Sequence, residues 1–133
     1  MGMIVEVSSE VIATLIAEAA RSAPAECCGL LLGREGRILE ARGAANVAAE
    51  PLLRFEIDPA ALLAAHRAAR AGGPELIGYY HSHPAGHPRP SATDCEHASG
   101  DERAWAIVAR GEVAFWRDAE TGFEPLSHRV VDD

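Results

Sequence analysis

The chain predicts a mixed α/β domain. Three observations carry this. Two amphipathic helical patterns bracket short apolar strand runs, eight strand-like runs are separated by Gly, Pro or polar turns, and no linker, repeat or low-complexity segment divides the 133 residues. A single domain over residues 3–131 follows. Apolar residues make up 48% of the chain but aromatics only 5%, so the core is expected to be built from Leu, Ile, Val and Ala.

The elements follow in order. Residues 3–7 (MIVEV) read as a first strand. Residues 8–22 read as a helix with Val11, Ile12, Leu15, Ile16 and Ala19 on one face and Ser8 or Ser9 as its cap. Residues 27–33 (CCGLLLG) form an apolar strand ended by glycine. Residues 36–47 turn back on it as a hairpin, and residues 52–57 (LLRFEI) read as another strand. The second helix has the strongest signals: Asp58 caps it, Pro59 takes its first position, and Gly72-Gly73 stops it. Residues 75–83 are a strand running into a histidine-rich stretch. Residues 91–99 form a short helix, and three strands at 104–109, 112–118 and 123–130 close the chain.

Charge and cysteine content narrow the function. The formal net charge is −8, from 12 basic and 20 acidic residues with no long run of either sign. Spread acidity disfavours nucleic acid, which requires a basic patch. Three cysteines, two of them adjacent, make a poor disulfide framework and indicate a reducing compartment, the cytoplasm. No apolar run is long enough to span a membrane. The start lacks a signal-peptide pattern, and Glu6 stands where a myristoylation signal wants Ser or Thr.

The chemistry concentrates between Gly78 and Asp94, a stretch with three histidines and three prolines. Alternation along a strand puts His81 and His83 on one face about 6.6 Å apart, within reach of a shared ion. Pro84 ends the strand, and a proline-stiffened loop returns the chain to Ser91, a good N-cap, with Asp94 in the following helical turn. Two histidines and a carboxylate leave a fourth zinc position open for water, as catalytic zinc sites do. Each part alone has a plain structural reading; the joint pattern H-x-H-P-x(6)-S-x-x-D is far more specific.

This pattern resembles the signature of the JAMM, or MPN-plus, metalloprotease family. Glu26, in PAECCGLLLG, stands where that family carries its upstream glutamate, and the order of elements matches over nearly the whole chain. The resemblance implies an MPN (cytidine deaminase-like) architecture: a curved mixed β-sheet flanked by helices. It implies one Zn²⁺ per chain held by His81, His83 and Asp94, with Glu26 as general base and Ser91 as hydrogen-bond donor to the oxyanion. It further implies a metallopeptidase or isopeptidase cutting after the C-terminal Gly-Gly of a ubiquitin-like or sulfur-carrier protein. The compact length is similar to minimal prokaryotic members. Exposed sheet edges leave room for a homodimer.

Other readings fit the residues less well. A catalytically silent MPN-type scaffold is opposed by the intact motif. A zinc deaminase needs H-x-E and P-C-x-x-C, which the chain lacks. A DNA-repair role is disfavoured by acidity and by the missing helix-hairpin-helix region. His87 is expected in solvent, and His97 either beside Asp94 or exposed. His66 and His128 are expected to be structural or solvent-facing. Cys27 and Cys28 are expected to pack as small apolar residues, and Cys95 to point away from the metal. Trp105, Phe115 and Trp116 are expected in the core or at its rim.

Overall fold

The computed structural model describes residues 4–132; Met3, expected in the first strand, lies outside the described residues. One mixed sheet of eight strands runs in the order β7-β6-β5-β4-β2-β3-β1-β8. The strands are β1 (Ile4–Ser8), β2 (Cys28–Arg34), β3 (Arg37–Ala44), β4 (Glu75–Ser82), β5 (Ala104–Ala109), β6 (Glu112–Ala119), β7 (Gly122–Pro125) and β8 (Ser127–Val131). Three helices, α1 (Ser9–Ser22), α2 (Pro59–Arg70) and α3 (Ala92–His97), complete the described residues.

Helix ends follow the cap chemistry. Ser8 caps α1 by accepting from the Glu10 N–H, and Asp58 caps α2 by accepting from the Ala60 N–H with Pro59 next in line. The β2–β3 and β5–β6 hairpins turn on Glu35-Gly36 and Arg110-Gly111, all four at positive φ. Such paired positive φ values match the twist of the strands they join.

The sheet is covered on both faces, which explains why β2 reads as an unbroken apolar run. On one face Val7, Leu31, Ile38, Tyr80, Val108 and Phe115 pack with Val11 and Leu15 of α1. On the other, Cys28, Leu30, Leu32 and Leu76 pack with Ala65 of α2 and Ile57. Close strand approach constrains Gly78 of β4. A Cβ there would lie 1.8 Å from the Ala104 carbonyl oxygen of β5.

Two expectations are corrected. Residues 52–57 do not form a strand; only an isolated bridge joins Ile57 to Asn46. The Asn46 side chain organises this segment as a loop. Its amide donates to the Glu26 and Arg54 carbonyls, and its oxygen accepts from the Ala48 and Glu56 N–H groups. Side-chain bonding of this kind competes with a ladder for the same backbone groups.

The closing segment 123–130 is two strands rather than one. β7 pairs antiparallel with β6, whereas β8 pairs parallel with β1 at the opposite edge of the sheet. Leu126 alone joins them, donating its N–H to the Phe115 carbonyl at 2.9 Å. One residue spans the sheet's two edges because the sheet curls almost closed. His128 of β8 sits 4.7 Å, ring to ring, from Phe115 of β6. Among the described residues no helix is long and apolar enough to cross a membrane.

Candidate metal centre

The curled sheet delivers the histidine stretch to one rim. His81 lies on the β4 face shared with Tyr79, opposite Tyr80, and is fully buried. Phe55 stacks on its ring at 4.2 Å, and Trp105 meets it edge-on at 5.6 Å. The ladder runs one residue past β4, with the His83 N–H donating to the Val108 carbonyl at 2.8 Å. Pro84 then starts the loop.

Glu26 comes from just before β2, 55 residues earlier. Two bonds join the strand ends. The Cys27 N–H donates to Ser82 Oγ at 2.9 Å, and the Ser82 N–H donates to the Cys27 carbonyl at 3.1 Å. Glu26 itself is tied down by its N–H to the Pro51 carbonyl and by Asn46 on its own carbonyl. Ser82 is therefore a positioning residue hidden inside the motif as its variable letter. Ser82→Ala leaves the Cys27 N–H buried without a partner. It is expected to lower unfolding stability by about 1–3 kcal/mol, read as a lower urea midpoint at unchanged slope.

Asp94 is set by a reciprocal capping box at the start of α3. Ser91 Oγ accepts from the Asp94 N–H at 3.0 Å, and Asp94 Oδ2 accepts from the Ser91 N–H at 2.9 Å. The same Oδ2 faces both histidines. His81 Nε2 and His83 Nε2 are 3.0 Å apart, and each is 3.1 Å from Asp94 Oδ2. Three donor atoms thus form a nearly equilateral triangle. Tetrahedral zinc with bonds of about 2.0–2.2 Å separates its ligand atoms by about 3.3–3.6 Å. The triangle fits that ion after a relaxation of a few tenths of an ångström.

The protonation pattern supports a cation. His83 Nδ1 lies 2.8 Å from the His87 carbonyl, which can only accept, so the proton belongs on Nδ1 and the Nε2 lone pair faces the triangle. Without a cation or a shared proton, lone pairs and a carboxylate would crowd one point. Burial would raise Asp94, but hydrogen bonds from both imidazoles and the Ser91 N–H hold its carboxyl well below the usual range. Burial lowers His81. For His83 the burial effect is outweighed by its bonds to Asp94 and the His87 carbonyl and by the Asp94 and Glu26 charges, and the net shift is upward.

A second grouping competes for the same ion: Glu26, His81 and His83 present donor atoms within 4.8 Å of one another. Asp94 Oδ2 lies 3.1 Å from each imidazole Nε2 and its carboxyl is held ionised, so it suits a third ligand. Burial, against the lowering effect of His83, pushes Glu26 up to about 7 from 4.5, which suits a group that takes and returns a proton.

This shift has a sign that can be measured on metal-free protein. The folded state holds the Glu26 proton more tightly than the unfolded chain does. The destabilisation is therefore absent below about pH 4.5, grows as pH rises, and is complete above about 7. Glu26→Gln removes it. The variant's stability relative to the native chain should rise by about 3 kcal/mol across that window, and a flat difference would contradict the shift.

The remaining residues separate from the centre. A 360 Å³ groove is lined by Glu26, His83, Ser91, Leu52, Leu53 and the loop 84–90. A larger 660 Å³ cavity beyond Phe55 and Trp105 is lined by none of the five motif side chains. His97, expected beside Asp94 or in solvent, is exposed and lines the larger cavity. The His87 side chain is exposed, although its backbone orients His83. Cys95 is exposed, while Cys27 and Cys28 are buried. Trp105 and Phe115 are buried, and Trp116 is half-buried at the rim. Phe55 and Asn46 escaped the sequence reading. No local signal marks either, and Phe55 fell in the segment taken for a strand.

A family model describing prokaryotic homologues of the JAB domain matches residues 8–119. The chain belongs to this family. Among relatives of this JAB-domain protein are desampylases of Haloferax volcanii (43% identical over 61% of this chain and 60% of that one) and Pyrococcus furiosus (38% over 71% and 68%). A Thermus thermophilus protein named for cleaving TtuB–protein conjugates is 40% identical over 59% of this chain and 52% of its own. These matches therefore span between about half and two-thirds of the relatives' lengths. A Desulfitobacterium hafniense protein structure superposes with a TM-score of 0.85 at 25% identity, over 98% of this chain and 94% of that one. A JAB1/MPN domain protein of Archaeoglobus fulgidus superposes at 0.62 and 18% identity, over 92% and 97%. The curved mixed sheet is thus the MPN architecture expected from the sequence.

Proposed function

We propose that this JAB-domain chain is a zinc-dependent isopeptidase that hydrolyses the bond after the C-terminal Gly-Gly of a ubiquitin-like or sulfur-carrier protein. The observation that carries the reading is the triangle of His81, His83 and Asp94 donors with Glu26 beside it in an open groove. The relatives' names, desampylase and conjugate-cleaving protease, support the substrate class.

His81, His83 and Asp94 hold the ion. Zinc so bound acidifies water and polarises a carbonyl. Glu26 takes the proton of the attacking water and returns it to the leaving amine, a task suited to a carboxyl raised to about 7. The Ser91 oxygen already accepts from the Asp94 N–H, which leaves its O–H free to donate to the developing oxyanion. The Gly-Gly tail is placed in this groove, where residues without side chains next to the cut bond bring the scissile carbonyl close to the histidines. The three unbridged cysteines suit a reducing compartment, and we place the protein in the cytoplasm.

The test is elemental analysis together with incubation of the protein with a lysine conjugate of a Gly-Gly-tailed modifier. About one zinc per chain and release of the free modifier are expected. A chain that takes up no zinc and cleaves nothing would instead be a scaffold.

A further inference from the structure

The loop 84–91 carries one charged side chain that neither the fold nor the metal centre uses. Arg89 is exposed and lines the groove with Glu26, His83 and Ser91. Among the described residues its guanidinium has no hydrogen bond or ion pair. Arg54 pairs with Glu50 at 3.6 Å, and Arg37 and Arg129 pair with Glu6, whereas among the described residues Arg21, Arg67, Arg70 and Arg110 are unpaired like Arg89 but do not line the groove.

The backbone beneath Arg89 is fixed. Prolines flank it at 88 and 90, and its N–H bonds the His87 carbonyl at 2.8 Å. The Trp116 indole donates to the Pro88 carbonyl at 3.1 Å, His83 Nδ1 to the His87 carbonyl at 2.8 Å, and the Ser91 N–H to Asp94. A long cationic side chain thus stands on a rigid support a few residues from the oxyanion donor. Leu52 and Leu53, 59% and 65% exposed, line the same groove and offer a substrate no charge.

The chain as a whole carries −8 and repels acidic partners. A lone unpaired cation in the groove offsets that repulsion locally. Its planar donors suit a carboxylate.

We infer that Arg89 is a specificity residue that binds a carboxylate of the substrate close to the scissile bond. The inference rests on the isopeptidase reading above. The carboxylate belongs either to the modifier's tail or to the target segment around the modified lysine, and the test separates the two.

Lysine peptides carrying a Gly-Gly-ended tail on the side-chain amine are made with Glu, Ala or Lys placed next to the Gly-Gly, or next to the modified lysine. The native protein is expected to show a KM about 3–10-fold lower for Glu than for Ala on one of the two sides, with kcat little changed. The preference should fade in high salt. Arg89→Lys should keep part of it and Arg89→Glu should reverse it toward Lys peptides, with zinc content unchanged in both. Equal KM for the Glu, Ala and Lys peptides, or a Glu preference that survives Arg89→Glu, overturns the inference while leaving the isopeptidase reading intact. A native chain that binds no zinc and cleaves no peptide overturns that reading and this inference together.

Discussion

Glu26→Gln is expected to retain zinc and lose about 10²–10⁴-fold in kcat on a Gly-Gly conjugate, with KM little changed. Gln preserves the shape and the backbone ties of Glu26 to Pro51 and Asn46, so the site should keep its geometry. What is lost is a proton acceptor, and that loss is felt only in the transition state. The check pairs elemental analysis with single-turnover cleavage. A variant with full zinc and native kcat would remove Glu26 from the reaction. One that loses zinc as well would assign Glu26 to the ligand set instead, the alternative that its distance of under 4.8 Å from the histidines leaves standing.

Asp94→Ala carries the second large effect. Structural zinc sites bind with about 10–16 kcal/mol shared over four ligands, so one ligand is worth on the order of 10²–10³-fold in affinity. The variant should leave purification with little zinc and no activity. It should also be less stable without metal, because Asp94 is half of the capping box that starts α3. Asp94→Asn separates the two roles. An asparagine oxygen still accepts from the Ser91 N–H, so helix stability should largely return. Zinc affinity should not, since the charge that draws the cation is gone. Competition with a chromophoric chelator measures the affinity and thermal melting in chelator measures the helix. Near-native zinc affinity in both variants would place the third ligand elsewhere.

How much of the fold could be read beforehand depended on where the information lies. The α2 start is local: Asp58, Pro59 and the apolar period state it within a few residues, and the structure agrees. The hairpin β2–β3 is equally local, with Gly36 at its turn. Residues 52–57 misled because alternating apolar residues read as a strand. One amide, Asn46, took the backbone partners that a neighbouring strand would have needed. Nothing within six residues of Phe55 announces that amide. The closing segment misled for a related reason. A single strand over 123–130 is the simplest reading, and the break at Leu126 is imposed by the opposite edge of the curled sheet arriving beside β6.

The candidate site divides along the same line. His81, His83, Ser91 and Asp94 fall within fourteen residues, and strand alternation, a proline stop and a helix cap suffice to converge their side chains. That spacing is set by backbone geometry alone, which is why the sequence determined the donor triangle and the kind of ion it suits. Glu26 is 55 residues away, and only the ladder between β2 and β4, closed by Ser82 on Cys27, carries it to the histidines. Its raised proton affinity and the burial of His81 under Phe55 likewise arise only when distant segments exclude water from one another. Covalent neighbours decide direction and spacing; desolvation and long-range contact exist only in the tertiary structure, and those set the chemistry of this groove.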